Sequence, residues 1–415
     1  MFQKWWQAVV LAAALTFFLL LWHYLLPSML SGYDTAGMSG ATVLEDAVRV
    51  HQTDVAFIRR PLCTWTIQFL VQNLGWSVAQ SFIILNFILI FFCNILLYIL
   101  AKLYLCSQRE ALLSQILFTV SFSVLFSFFA PVYTYDDPLQ YFFILLSLVA
   151  IHFRSSLCIV PCIFLALATR ETTFFLFLAF YALSIPQKER EQAFEDIKDI
   201  GLTDEELKGV NAIDMLVIDF ASLIPLGLAS IFYIYFVNTY FTGVQIEDGR
   251  FWFWLSNFQS MQFATETLCT LFMVLGLPFL ITIYGDDDKH AILIRNLFFA
   301  IILNTLAVLI MTKAREARLF ALPLMLYFPI AGRLLLNTLA KINIKKIQYK
   351  LLFVLVFAIF AVFSFTMYYS TDSGGAFRYY QLYLFISLCL AFFLHQAVDE
   401  TEPIVATVES IESAA

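Results

Sequence analysis

Long apolar runs separated by short polar segments set the pattern of this chain from its first residues. "MFQKWWQAVVLAAALTFFLLLWHYLLPSML" carries one lysine and then more than twenty mainly apolar positions. A helix that crosses a bilayer needs about 20 such residues. Measured by that length, the chain predicts spans near 7–30, 78–101, 111–130, 138–153, 157–170, 173–186, 214–240, 264–284, 291–312, 317–336, 350–370 and 379–395. The expected architecture is all-α: a polytopic transmembrane bundle of about twelve helices, within a range of about 10 to 13. The runs at 157–170 and 173–186 are short, a length tolerated where a segment lines a cavity instead of facing lipid. The first run exceeds the apolar core of a cleavable signal, about 7 to 15 residues, and reads as a retained helix.

The polar segments divide the chain into modules. Residues 31–60, "SGYDTAGMSGATVLEDAVRVHQTDVAFIRR", form the first loop, and Ala41 to Val50 within it has the spacing of an amphipathic helix lying at the interface. Residues 187–213, "QKEREQAFEDIKDIGLTDEELKGVNAI", read as a solvated linker in which Thr203 caps a short helix with Glu206 three places on. The expected organisation is a front transmembrane module at 1–186, the linker at 187–213, a back module at 214–395 and an acidic tail at 396–415. Most lysines and arginines fall in segments that share a side with the N-terminus, so the N-terminus, linker and tail are expected in the cytoplasm and the 31–60 loop outside.

Composition agrees with a membrane protein: 61% of the residues are hydrophobic and 13% charged, against about 25% charged in soluble domains. The net charge of -7 comes largely from the linker and tail, and no basic run suits nucleic acid. The seven cysteines lie mostly in apolar runs as small hydrophobes, and the five histidines lack the clustering of a zinc site. "GDDDKH" at 285–290 reads as a solvated cytoplasmic loop.

Under this topology the unusual polar residues gather on the outer side. They are Tyr33 and Asp34, Arg59 and Arg60 before Pro61, Tyr135, Asp136 and Asp137 in "YTYDDP", Arg170 and Glu171 in "TRETT", and Lys313, Arg315, Glu316 and Arg318 in "TKAREARLFALP". An ion within a bilayer costs at least about 2.5 to 3.5 kcal/mol and so points to function. Ordinary roles compete: helix termination for Asp34, headgroup contact for Arg59 and Arg60, an N-cap ahead of Pro138 for the acidic pair, a structural ion pair for Arg170 with Glu171. The chemistry open to the set is clear. Arginines grip phosphate through a planar fork, a carboxylate beside them takes a proton from an attacking hydroxyl, and adjacent acids such as Asp136 and Asp137 could instead hold a divalent cation.

In their order along the chain these features resemble the polytopic C-type glycosyltransferase superfamily (GT-C). The matching pieces are Asp34 in the first outer loop, "RRP" entering an amphipathic stretch, the acidic pair of "YDDP" opening a later helix, "RET" ending a short one, and "EARLFALPL" in the back half. The resemblance implies a GT-C-like bundle that moves a sugar from a polyprenyl-phosphate-linked donor to a lipid or glycan acceptor on the non-cytoplasmic face of a bacterial cytoplasmic (inner) membrane. It implies Asp34 as catalytic base, with Glu45, Asp46 and Asp54 as alternates in the same loop. Arg59, Arg60, Tyr135, Asp136, Asp137, Arg170, Glu171, Arg315, Glu316 and Arg318 are the candidate substrate-binding residues. The rival readings are a transporter or flippase for a lipid-linked or anionic substrate, and a membrane subunit without chemistry of its own.

Overall fold

The computed structural model describes residues 2–25, 41–54, 57–127, 135–153, 155–182, 223–241, 253–285, 288–312, 314, 317–344, 347, 350–367 and 377–398. Among them the chain is all-helical, with no strand beyond a single bridge of Ile342 to Val398. The order is α1 (Phe2–Leu20), α2 (Ala41–Thr53), α3 (Pro61–Leu74), α4 (Val78–Leu103), α5 (Gln108–Val120), α6 (Asp137–His152), α7 (Ser156–Thr169), α8 (Thr173–Ala182) and α9 (Ile224–Tyr240). There follow α10 (Met261–Leu271), α11 (Leu277–Tyr284), α12 (Ala291–Met311), α13 (Leu324–Ala340), α14 (Lys350–Val362) and α15 (Phe377–Ala397).

Local sequence explains many of the boundaries. Ser77 with Gln80 and Ser107 with Glu110 form reciprocal capping boxes that start α4 and α5. Pro61 begins α3, and Gly75, at φ 69°, closes it in the left-handed conformation that a side chain disfavours. The π turn Phe272–Gly276 joins α10 to α11 just ahead of Pro278, whose missing N–H cannot continue the regular ladder.

Five stretches among the described residues are long and apolar enough to cross a membrane: Trp5–His23, Val78–Leu103, Met261–Tyr284, Ala291–Met311 and Tyr379–Ala397. Five further apolar helices, Asp137–His152, Leu157–Thr169, Ile224–Tyr240, Leu324–Ala340 and Leu352–Thr366, are shorter. Against an expectation of about twelve spans, the described residues thus hold five helices of spanning length among shorter apolar ones. Two of the expected runs are cut by local chemistry. The 111–130 run breaks at Ser121, which turns extended between α5 and a single helical turn at Phe122–Leu125, and the 317–336 run is helical only from Leu324 after a 3₁₀ turn at Ala317–Phe320. At about 1.5 Å per residue, a 14-residue helix such as α7 does not traverse a hydrocarbon core of about 30 Å.

Helix α13 lies at the centre, buried from Leu324 to Gly332. It packs closely on α5 because Gly332 has no side chain: a Cβ there would stand 2.0 Å from the Glu110 carbonyl oxygen, and the Gly332 amide instead donates to Ser114 Oγ at 3.0 Å. The outer surface is apolar, with Phe17, Phe69, Ile231, Val354 and Ile359 exposed on four helices. Such a surface is expected of a protein solvated by lipid. At one end of the bundle the turns meet in a polar layer: Lys341 Nζ donates to the Tyr284 carbonyl at 2.8 Å, Asn337 Nδ2 to the Gly285 carbonyl at 3.1 Å, and His290 Nε2 lies 2.8 Å from the Tyr104 carbonyl. His290, expected in a solvated loop, is therefore buried against α4, whereas the side chains of Asp286, Asp287 and Asp288 lie outside the described residues.

Candidate functional site

The opposite ends of the helices bring the candidate charges together. Arg59 and Arg60 precede α3, Tyr135 and Asp136 precede α6, Arg170 and Glu171 separate α7 from α8, and Arg318 sits in the 3₁₀ turn ahead of α13. Arg170 ends α7 by adopting an extended backbone (φ -162°, ψ 125°) while its amide still bonds the Ala166 carbonyl. Its side chain then turns inward, to 4% exposure. Arg170 Nη1 donates to Asp137 Oδ1 at 2.5 Å and stands 3.6 Å from Asp136 Oδ1, and Arg318 Nη1 approaches Asp137 Oδ2 at 3.6 Å. Asp136 and Asp137 are each 1% exposed.

Arg170 and Glu171, neighbours in sequence, pair with different partners. Glu171 Oε2 accepts from Arg60 Nε at 2.7 Å at the accessible edge of the cluster, where the Glu171 side chain keeps 37% exposure. Asp136 occupies the N-cap position of α6, yet its side chain makes no capping bond. The N-cap role that its sequence context favours is replaced by the interaction with Arg170.

Three carboxylates thus face three guanidinium groups. Burial opposes the charge on Asp136, but Arg170 and Arg60, with His51 and Arg318 beyond them, outweigh it and hold the carboxyl below its usual range. Burial likewise opposes the charge on Glu171, and Arg60 overcomes it in the same direction. Asp136 Oδ2, Arg170 Nε and His51 Nδ1 are buried without a hydrogen-bond partner among the described residues, which is uncommon for buried polar atoms and marks places where a ligand group would be satisfied.

His51 joins this site although its sequence context reads as unremarkable. On α2, Leu44, Val48 and His51 are buried while Glu45, Asp46, Arg49 and Val50 are exposed, so helical spacing carries the imidazole inward. The ring stacks on Tyr135 at 3.6 Å between centroids and on Phe57 at 4.6 Å. Burial first, and then the nearby arginines, push its pKa down to about 4 despite Asp136, leaving it neutral near pH 7. Tyr135 is tied elsewhere: its hydroxyl shares a 2.8 Å hydrogen bond with Thr64 Oγ1, and its carbonyl accepts from Cys63. Gln140, one turn into α6, donates to Thr173 Oγ1 at 2.7 Å and fixes the α7–α8 junction.

One asparagine holds the turn bearing Arg318 and another the backbone ahead of it. Asn304 Nδ2 donates to the Leu319 carbonyl at 2.8 Å, and Asn257 bonds the carbonyls of Leu309 and Thr312 and the amide of Ala314.

Asp34, Arg315 and Glu316 lie outside the described residues. Of the alternates to Asp34, Glu45 and Asp46 are on the exposed face of α2, where Asp46 pairs with Arg49 at 2.7 Å, and Asp54 is exposed at its end. The carboxylates of the acidic pair are directed at arginines, and no group of three or more metal-ligating side chains occurs among the described residues. A divalent cation does not fit here, since it would stand against Arg170 and Arg318. What the cluster can do is exchange internal carboxylates for an incoming anion. No family model, curated protein or solved structure matches this chain.

Proposed function

We propose that this protein is a membrane glycosyltransferase of GT-C type, which moves a sugar from a polyprenyl-phosphate-linked donor to a lipid or glycan acceptor at the non-cytoplasmic face of a bacterial cytoplasmic membrane. The observation that carries the reading is the convergence of Arg60, Arg170 and Arg318 on one buried acidic pair at the ends of the helices. A phosphate on an apolar tail is the ligand that suits both these cations and their surroundings. In the reaction, the acceptor hydroxyl oxygen bonds the anomeric carbon as that carbon's bond to the phosphate oxygen breaks. The hydroxyl proton passes to a carboxylate, and the phosphate departs with the bonding electrons toward the arginines. Asp136, held ionised with a free oxygen, and Asp34 are the candidate bases. The location at helix ends supports transfer over transport, because transporters build their sites near the midplane.

The test is transfer by purified protein supplied with polyprenyl-phosphate sugars. Replacing the true base, by Asp34→Asn or Asp136→Asn, lowers turnover by about 10² to 10⁴ with donor binding retained. Arg170→Lys weakens donor binding. If both aspartate variants transfer at the wild-type rate, neither residue is the base, and if no polyprenyl donor binds the wild type, the transporter reading takes precedence.

A further inference from the structure

Two apolar grooves open on the surface of the bundle, and their chemistry differs. The larger, about 440 Å³, runs between α10–α11 and α12, lined by residues such as Leu268, Phe272, Phe279 and Ile302, with no charged side chain in its wall. The other, about 380 Å³, lies between α7 and α9, where Val160, Pro161 and Phe164 face Phe232, Phe236 and Tyr240. Pro161 stands inside α7, and its ring takes the place of an N–H that would have bonded the Leu157 carbonyl.

The α7–α9 groove lies beside the charged cluster, on helices that reach it. Helix α7 ends at Arg170, and Tyr233 of α9 is within electrostatic reach of Glu171, Arg60 and Arg59. Phe236 lines the groove and meets the edge of Trp65 at 6.1 Å between centroids, on the helix that starts directly after Arg60. The aromatic wall of the groove therefore points along the surface toward the Arg60–Glu171 pair, of which the Glu171 side chain is the accessible member.

We infer that the α7–α9 groove holds the tail of a prenyl phosphate whose phosphate group is met by Arg59 and Arg60. This rests on the proposed phosphate role of the cluster and adds where the lipid lies. Apolar tails gain nothing by leaving lipid for an apolar wall, so selectivity has to come from packing against the rings and from the arginines. The larger groove offers only the first of these. A phosphate arriving at Arg60 displaces Glu171, whose carboxylate is exposed enough to turn to water.

The test compares long-chain polyprenyl phosphate, geranyl phosphate and phosphatidylglycerol for binding to the purified full chain in detergent. The wild type binds the long-chain phosphate more tightly than geranyl phosphate, by about tenfold, or about 1.4 kcal/mol. Val160→Trp fills the groove and removes that difference, while Ile302→Trp in the larger groove leaves it. Arg60→Gln weakens both chain lengths alike. A polyprenyl phosphate with a photoreactive tail supplies a second measurement without substitutions, and labels peptides from 156–169 or 224–240. Loss of the difference in Ile302→Trp but not Val160→Trp, or labelling confined to 261–311, overturns the assignment. So does equal competition by phosphatidylglycerol, which would make this a general anionic-lipid groove. If no prenyl phosphate of either length binds, the phosphate reading of the cluster itself fails.

Discussion

Replacing Asp137 by asparagine is the sharpest test of the buried cluster. Its carboxylate meets Arg170 at 2.5 Å and Arg318 at 3.6 Å, with 1% of the residue exposed. The amide in Asp137→Asn keeps the shape and one acceptor but leaves two buried guanidinium groups facing one fewer negative charge. Removing one partner of a buried pair costs about 3 to 5 kcal/mol. The low end applies here, because Asp136, 3.6 Å from Arg170, takes up part of the imbalance. Stability shifts of about 2 to 4 °C per kcal/mol are typical of mid-sized domains and smaller for larger ones, so the apparent unfolding midpoint in detergent should fall by about 5 °C. Glu171→Gln supplies the internal scale. With 37% of the Glu171 side chain exposed, screening limits that pair to about 1 kcal/mol or less. Combining Asp137→Asn with Arg318→Met should cost less than the sum of the single changes by at least about 0.5 kcal/mol, as expected for contacting groups. A midpoint for Asp137→Asn no lower than that of Glu171→Gln, or strict additivity with Arg318→Met, would refute the buried, shared carboxylate.

Two further expectations concern the frame around the site. His51 has its pKa lowered from 6.5 to about 4 by burial, so between those values the unfolded chain binds more protons than the folded one, and stability present above pH 6.5 is lost as pH falls toward 4; unfolding midpoints measured across that window should lose part of this slope in His51→Gln, and an unchanged slope would show that other groups set it. Gly332→Ala puts a Cβ at 2.0 Å from the Glu110 carbonyl oxygen, and forcing α13 from α5 should cost about 1 to 3 kcal/mol, visible as reduced folded yield by size-exclusion chromatography, with wild-type yield and midpoint as the contrary result.

Much of the frame is legible along the chain because its causes are local. Apolar run length marks α4, α12 and α15, Ser-x-x-Gln and Ser-x-x-Glu caps mark the starts of α4 and α5, and the spacing of Leu44, Val48 and His51 marks the inner face of α2. That same spacing is the signal by which His51 could have been placed at the site, since the residue is helical and shares the face of two buried aliphatics. The residue types at the charged end are equally visible: "RRP", "YDDP" and "RET" are unusual polar insertions in apolar surroundings, and desolvation makes such insertions costly wherever they fold.

Partnership is what only the tertiary structure decided. Sequence adjacency favours Arg170 with Glu171, yet an extended residue at the end of α7 sends the two side chains apart, one to Asp137 and the other to Arg60. Asp136 and Asp137 read as a helix start or a cation site until Arg170 and Arg318 arrive from other elements to neutralise them. Helix lengths changed for a related reason. Apolar content alone does not separate a full span from a short helix packed in protein, and the 317–336 run becomes a turn followed by α13 because Asn304 binds the backbone within that turn and Asn257 the backbone ahead of it. Periodicity and capping act over a few residues, whereas ion pairs and backbone clamps join residues tens to hundreds of positions apart, and their geometry exists only once the helices have packed.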